Sequence, residues 1–105
     1  MHPVPTSAAE ALRIYRDPTS EDWERDYAGG LIAEIDEGRD ALLATARDGS
    51  ASEMLQQRAA ESLANAWRDQ GLLMTADVSG FTPVALQEML FQRREGPPSS
   101  SLRLE

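Results

Sequence analysis

The sequence predicts an all-α fold, a single domain of four helices, and three features carry that expectation. Helix-start signals recur at Ser7-Ala8-Ala9-Glu10, Ser50-Ala51-Ser52-Glu53 and Phe81-Thr82-Pro83. Between them, apolar residues repeat at three- and four-residue spacings, the period of one helix face. Glycine or proline stands where each helix should stop, at Pro18, Gly49, Gly71 and Gly96-Pro97. A chain of 105 residues, 41% of them apolar, can bury one core, whereas two cores of about 50 residues would each bury too little surface. The domain is therefore expected over residues 1–95, followed by a disordered tail, 96–105, rich in proline and serine. Leu104-Glu105 reads as a cloning-site remnant, and Met1 as the start of a complete small gene product.

The first helix is expected over residues 8–16, where the Ser7 hydroxyl and the Glu10 carboxylate would each satisfy a free backbone donor. Ala8, Ala11, Leu12 and Tyr15 fall on one side of it. Asp17-Pro18 stops it, because the residue before a proline is pushed out of the helical region. The second is expected over 20–47, capped by Thr19, with Glu21 and Asp22 at the positive end of its dipole. At roughly 100° per residue, Tyr27, Leu31, Ile35, Gly38, Leu42 and Ala46 share a face flanked by Ile32 and Leu43. That phase persists across Gly29-Gly30, which predicts one continuous helix whose weak point for a kink is the glycine pair. Arg39 falls inside the same stripe, and is expected to snorkel outward or to pair with a carboxylate of a neighbouring helix.

Gly49 is expected to end this helix in a left-handed conformation, and the capping box at residues 50–53 to open the third helix, 51–70, immediately afterwards. The second and third helices would thus form an antiparallel hairpin. Leu55, Ala59, Ala60, Leu63, Ala66 and Trp67 form the inner stripe of the third, and Gly71 suits a Schellman cap that folds Leu72 back onto Trp67. The fourth helix, 83–95, starts with Thr82 as cap, Pro83 at the first position and Phe81 stapled against Leu86. Leu86, Met89 and Leu90 form its main stripe, and Val84 and Phe91 a second apolar side. The connecting loop, with Leu72, Leu73, Met74 and Val78, is expected to lie against the core.

Several function classes lack their chemistry. There is no cysteine and one histidine, His2, outside the helical region, so thiolate metal sites, cysteine nucleophiles and serine triads have no basis. No phosphate-binding glycine motif occurs, and no catalytic residue, cofactor or metal is expected. Asp36, Glu37 and Asp40 match no calcium-loop spacing and read as solvated surface. No apolar run approaches the roughly 20 residues that span a bilayer, and the N-terminus lacks the pattern of a signal peptide, so the cytoplasm is the expected address, with no membrane contact. All ten basic residues are arginine, but the net charge of -8 repels a nucleic-acid duplex.

The charge is concentrated. Residues 21–40 hold eight carboxylates against Arg25 and Arg39, a net -6 of the total -8. On a continuous second helix, Asp22, Asp26, Asp36, Glu37 and Asp40 would line the outward face as a ridge about 27 Å long at 1.5 Å per residue. Such a ridge suits a basic protein partner.

The segment from Leu42 to Ala66 resembles a unit of the HEAT-repeat family, in which two helices joined by a turn stack with an alanine-rich inner face; Ala59-Ala60-Glu61-Ser62-Leu63 carries the likeness. It departs from the family at Gln56, where HEAT units often place arginine, and in a longer turn. The resemblance implies a protein-binding scaffold without catalytic residues. Asp77-Val78-Ser79-Gly80-Phe81-Thr82 is similar to the turn before the recognition helix of bacterial helix-turn-helix regulators, although the loop from Gly71 is far longer and no basic side chain precedes Arg93 in the following helix. The function expected is a small acidic helical interaction module, an adaptor, inhibitor or immunity-type protein that binds a basic partner and is not an enzyme. Its alternatives are a DNA-binding regulator using helix 83–95 and a small-molecule sensor with a pocket between helices.

Overall fold

The computed structural model describes residues 3–95, so the expected tail and its last two residues lie outside the described part. Five helices follow one another within it: α1 (Ala8–Arg16), α2 (Asp22–Ile32), α3 (Asp36–Ala46), α4 (Glu53–Gln70) and α5 (Pro83–Glu95). No strand occurs among the described residues. The all-α expectation is met; the count of four is corrected to five, because the expected second helix is two.

The break falls at residues 33–35, not at the glycines. Gly29 sits inside α2 and is buried, and a Cβ placed on it would lie 3.3 Å from the Tyr15 ring. The Tyr15 ring of α1 lies against this position, so its missing side chain serves packing. Six residues past the end of α2, in the first turn of α3, Gly38 is pressed so tightly onto the turn that a Cβ there would lie 1.8 Å from the Ile32 carbonyl oxygen. Arg39 completes the break by donating from Nη1 to the Ala33 carbonyl at 2.7 Å and from Nη2 to Asp36. Its partner is thus its own helix and the end of α2, not a neighbouring helix. The stripe read for a continuous helix is corrected accordingly. Ala28 and Ile32 are fully buried in α2, Leu31 and Ile35 are half-buried, and Tyr27 points to solvent.

The ends of the helices show how the local signals were used. Ser7 accepts from the Glu10 amide at 3.2 Å as expected, whereas the Glu10 carboxylate reaches past the cap to the Thr6 amide and hydroxyl. These bonds hold its pKa below the usual value. Thr19 does not cap α2. It donates to Asp17 Oδ1 in an Asx turn, and the N-cap is Glu21, whose amide bonds the Glu24 carboxylate at 2.8 Å. Likewise α4 begins at Glu53, capped by Ser52 on the Leu55 amide, while Ser50 serves an Asx turn on Asp48 and depresses the pKa of that carboxylate. Gly49 has no positive φ, and α3 already ends at Ala46. Gly71 does adopt the left-handed conformation, with the Leu72 amide bonding the Trp67 carbonyl at 2.7 Å and its own amide bonding that of Arg68. The Leu72 side chain remains 46% exposed, and Leu73 is the buried one.

Every helix contributes to one core. Ile32, Leu42, Leu63 and Met89, from α2 to α5, are its largest fully enclosed side chains, and α1 adds Ala11, Leu12, Ile14 and Tyr15. The central element is α4, which packs against α2, α3 and α5 through a face of Ala59, Ala60 and Ala64 that lets neighbours approach closely. Trp67 is 8% exposed, as its stripe predicts. On α5, Ala85 and Met89 face inward, Val84 and Leu86 are half-buried, and Leu90 and Phe91 are exposed, so the expected stripe is rotated. Thr82 caps α5 through the Ala85 amide at 3.1 Å, and its own amide bonds the Ala46 carbonyl at 2.9 Å, tying the start of α5 to the end of α3.

Candidate partner-binding surface

The junction between α1 and α2 aims the outer face of α2. Ser20, buried in that turn, donates its hydroxyl to the Ile14 carbonyl at 2.7 Å, and Arg25 donates to the Asp17 carbonyl at 3.0 Å. The helix that follows buries Glu24, Ala28, Gly29 and Ile32, which turns Trp23 and Tyr27 outward.

The five carboxylates expected on one ridge are distributed over two helices. Asp22 is exposed and pairs with Arg25 at 3.4 Å; Asp26 is half-buried and lies 3.6 Å from Arg58 on α4. Asp36, Glu37 and Asp40 are exposed on α3 beyond the break, with Asp36 bonded to Arg39. The continuous helix expected to carry them as a ridge about 27 Å long is divided by the turn at 33–35. Carboxylates at the first turn of α3 also face the positive end of its dipole, so part of this charge serves the helix itself.

Sequence reasoning missed the aromatic residues of this surface. Trp23 is 56% exposed and Tyr27 54% exposed, one turn apart on the same side of α2. The available signal was the spacing of Ala28 and Ile32, which defines an inner face opposite Trp23. It was masked by the competing set of Tyr27 and Leu31, which carried the phase of a single long helix.

Grooves open to solvent line the surface of the described residues. One of about 360 Å³ runs between the α2–α3 break and α4, bordered by Glu34, Arg39, Ser62, Asn65 and Asp69. A second of about 580 Å³ lies between the N-terminal segment and α1, and a third of about 560 Å³ lies where Tyr15, Asp22, Arg25 and Asp48 meet. The third is lined largely by polar and charged groups, and the first by a mixture of apolar and charged ones. Inside the bundle, the space between Tyr15, Leu42, Leu55 and Ala59 is about 10 Å³. That is at or below the space of one water molecule. The Tyr15 hydroxyl there donates to Thr45 Oγ1 at 2.7 Å, and burial pushes its pKa up. No group of three or more histidine or acidic residues converges as a metal site among the described residues.

At the α4–α5 loop, Arg93 donates to the carbonyls of Leu73 and Ala76 at 2.9 and 2.7 Å, and Arg47 donates to that of Ser79 at 2.9 Å while resting over the Phe81 ring. Two of the chain's arginines are thereby spent on holding the loop between α4 and α5. No helix among the described residues is long and apolar enough to cross a membrane. Compared with known protein families, with curated proteins and with solved structures, the chain matches none.

Proposed function

We propose that this chain is a non-catalytic protein-interaction module, an adaptor, inhibitor or immunity-type protein, that engages a basic partner in the cytoplasm through α2 and the first turns of α3. The observation that carries this reading is the charge of residues 21–40, net -6, with Asp22, Asp36, Glu37 and Asp40 all exposed on a surface set by two short helices. Charge of that density steers association more than it sets affinity. Reversing Glu37 and Asp40 to arginine leaves the core untouched, since both are exposed. In a complex with its basic partner the variant should associate more slowly, and wild-type association should slow as salt rises, because exposed charges are screened beyond about 8 Å at physiological ionic strength. Binding indifferent to both would overturn the reading.

The DNA-binding alternative would depend on Arg93 and Arg94, and the first of these is committed to loop carbonyls. The sensor alternative would depend on a pocket between helices; the groove of about 360 Å³ between the α2–α3 break and α4 is open to solvent and bordered by Glu34, Arg39 and Asp69, and the space between Tyr15, Leu42, Leu55 and Ala59 is about 10 Å³. In the same reading α3 and α4 run antiparallel as one HEAT-like unit, supported by Leu42 of α3 sharing that small space with Leu55 and Ala59 of α4. Spin labels at exposed Ala44 and Glu53 would test the orientation: an antiparallel pair brings these two sites close.

A further inference from the structure

We propose that the outer face of α2, with Trp23 and Tyr27 at its centre, is the anchor that seats an arginine-bearing segment of the basic partner, each guanidinium stacking on a ring while pairing with the carboxylates beside it. The inference rests on the basic-partner reading and names the residues that turn steering into affinity.

Four observations lead there. Trp23 and Tyr27 lie one turn apart, and both are more than half exposed. The inner side of α2 is already anchored by Ala28 and Ile32, each 0% exposed, so the outward rings are not needed to hold the helix on the core. Gly30 lies two turns after Trp23 on nearly the same side, and nothing stands within 4 Å of a Cβ placed on it. The fold would accept a side chain at that position, and a helix-interior glycine costs about 1 kcal/mol relative to alanine. What its absence leaves is bare backbone beside the aromatic pair. Finally, Asp26 already receives a guanidinium across this edge, that of Arg58 at 3.6 Å, with Arg58 itself 53% exposed.

The charge selects the occupant. A face set in a segment of net -6 disfavours phosphate-bearing and acidic partners, and it disfavours a second copy of this chain, which would bring two such segments together. The rings take a cation, Trp being the best acceptor and arginine the more frequent donor. Arginine adds the planar fork that can stack on a ring and still reach a carboxylate. Aromatic anchors surrounded by polar groups are also where interface energy concentrates.

The test uses an alanine-based helical peptide with arginines along one face, fluorescently labelled, against the full chain. Two control peptides carry citrulline or glutamate at the same positions. Trp23→Ala and Tyr27→Ala should each weaken the arginine peptide roughly three- to thirtyfold, the worth of a cation–π contact from a partly to a well desolvated site. Trp23→Phe should restore part of the loss, and the citrulline peptide should bind at least as weakly as the Trp23→Ala variant does. Circular dichroism should be unchanged, since both rings lie outside the core. If the ring variants bind like wild type while Glu37→Arg with Asp40→Arg weakens binding, the aromatic anchor is wrong and the basic-partner reading stands. If the charge-reversed protein also binds like wild type, that reading falls first. Ring variants that change the sedimentation of the free protein would assign the face to self-association and overturn the proposal.

Discussion

Gly38 and Gly30 are the same residue type eight positions apart, yet their surroundings assign them opposite roles. A methyl group on Gly38 would be driven into the Ile32 carbonyl at 1.8 Å, backbone that cannot step aside without opening the turn. Gly38→Ala should therefore destabilise by about 3 kcal/mol, the upper end of ordinary overpacking. Gly30→Ala meets open space and should stabilise by about 1 kcal/mol through helix propensity alone. Urea denaturation of the two variants reads both signs, and a Gly38→Ala protein as stable as wild type would show that the tight turn is not needed. Tyr15 offers a second test at this scale. Its buried phenol has a folded pKa above the ordinary tyrosine value, because burial disfavours the phenolate. The neutral phenol's contribution is thus fully present below the unfolded pKa and is lost as pH rises through the folded one. Wild type should lose stability in that alkaline window, and Tyr15→Phe should flatten the loss, at a cost near neutral pH of about 1 kcal/mol for the bond to Thr45. Equal alkaline slopes for both proteins would place the phenol in solvent.

At the scale of elements, α4 is the helix that its neighbours share, and Trp67 is its largest buried side chain. Trp67→Ala should cost about 3 to 5 kcal/mol, a large share of the 5 to 15 kcal/mol available to a domain of this kind. A variant melting within a degree or two of wild type would show Trp67 to be exposed. The connection from α4 to α5 depends on arginines instead. Arg93 supplies two bonds to carbonyls at positions 73 and 76, and Arg47 one at position 79. Arg93→Ala should raise amide exchange through residues 72–80 while leaving α2 and α3 unchanged, because the lost bonds are confined to that loop. Uniform exchange changes across the chain would mean that Arg93 supports the whole fold. The break between α2 and α3 follows the same principle, since Arg39 bonds both the end of one helix and the start of the next. Its place in the stripe of a continuous helix was the visible sign that the helix should stop, because a guanidinium does not belong on an apolar face.

For the whole molecule, one cluster drawn from all five helices and the α4–α5 loop should make unfolding a single event. Helix loss by circular dichroism and exposure of Trp67 by fluorescence, read in a Trp23→Phe background that removes the outward indole, should superimpose; separated transitions would show that α1 or α5 melts alone. The sequence by itself determined the helical class, the position of α1, the ends of α4 and α5 nearest Gly71 and Pro83, and the inward course of Trp67. These depend on caps, stops and periodicity within a few residues of each other. The approach of Tyr15 to Gly29 was decided by tertiary structure alone, because it joins residues that no local pattern connects. The same is true of the closure of α3 onto the Ile32 carbonyl, which a run with unbroken helical phase does not foretell. The candidate surface divides along that line. Its charge is a sum over side chains and can be read without a fold. Which of those side chains stand together, and that Trp23 and Tyr27 stand among them, depends on which side of α2 the core takes, and packing against α1 and α4 settled that in favour of Ala28 and Ile32.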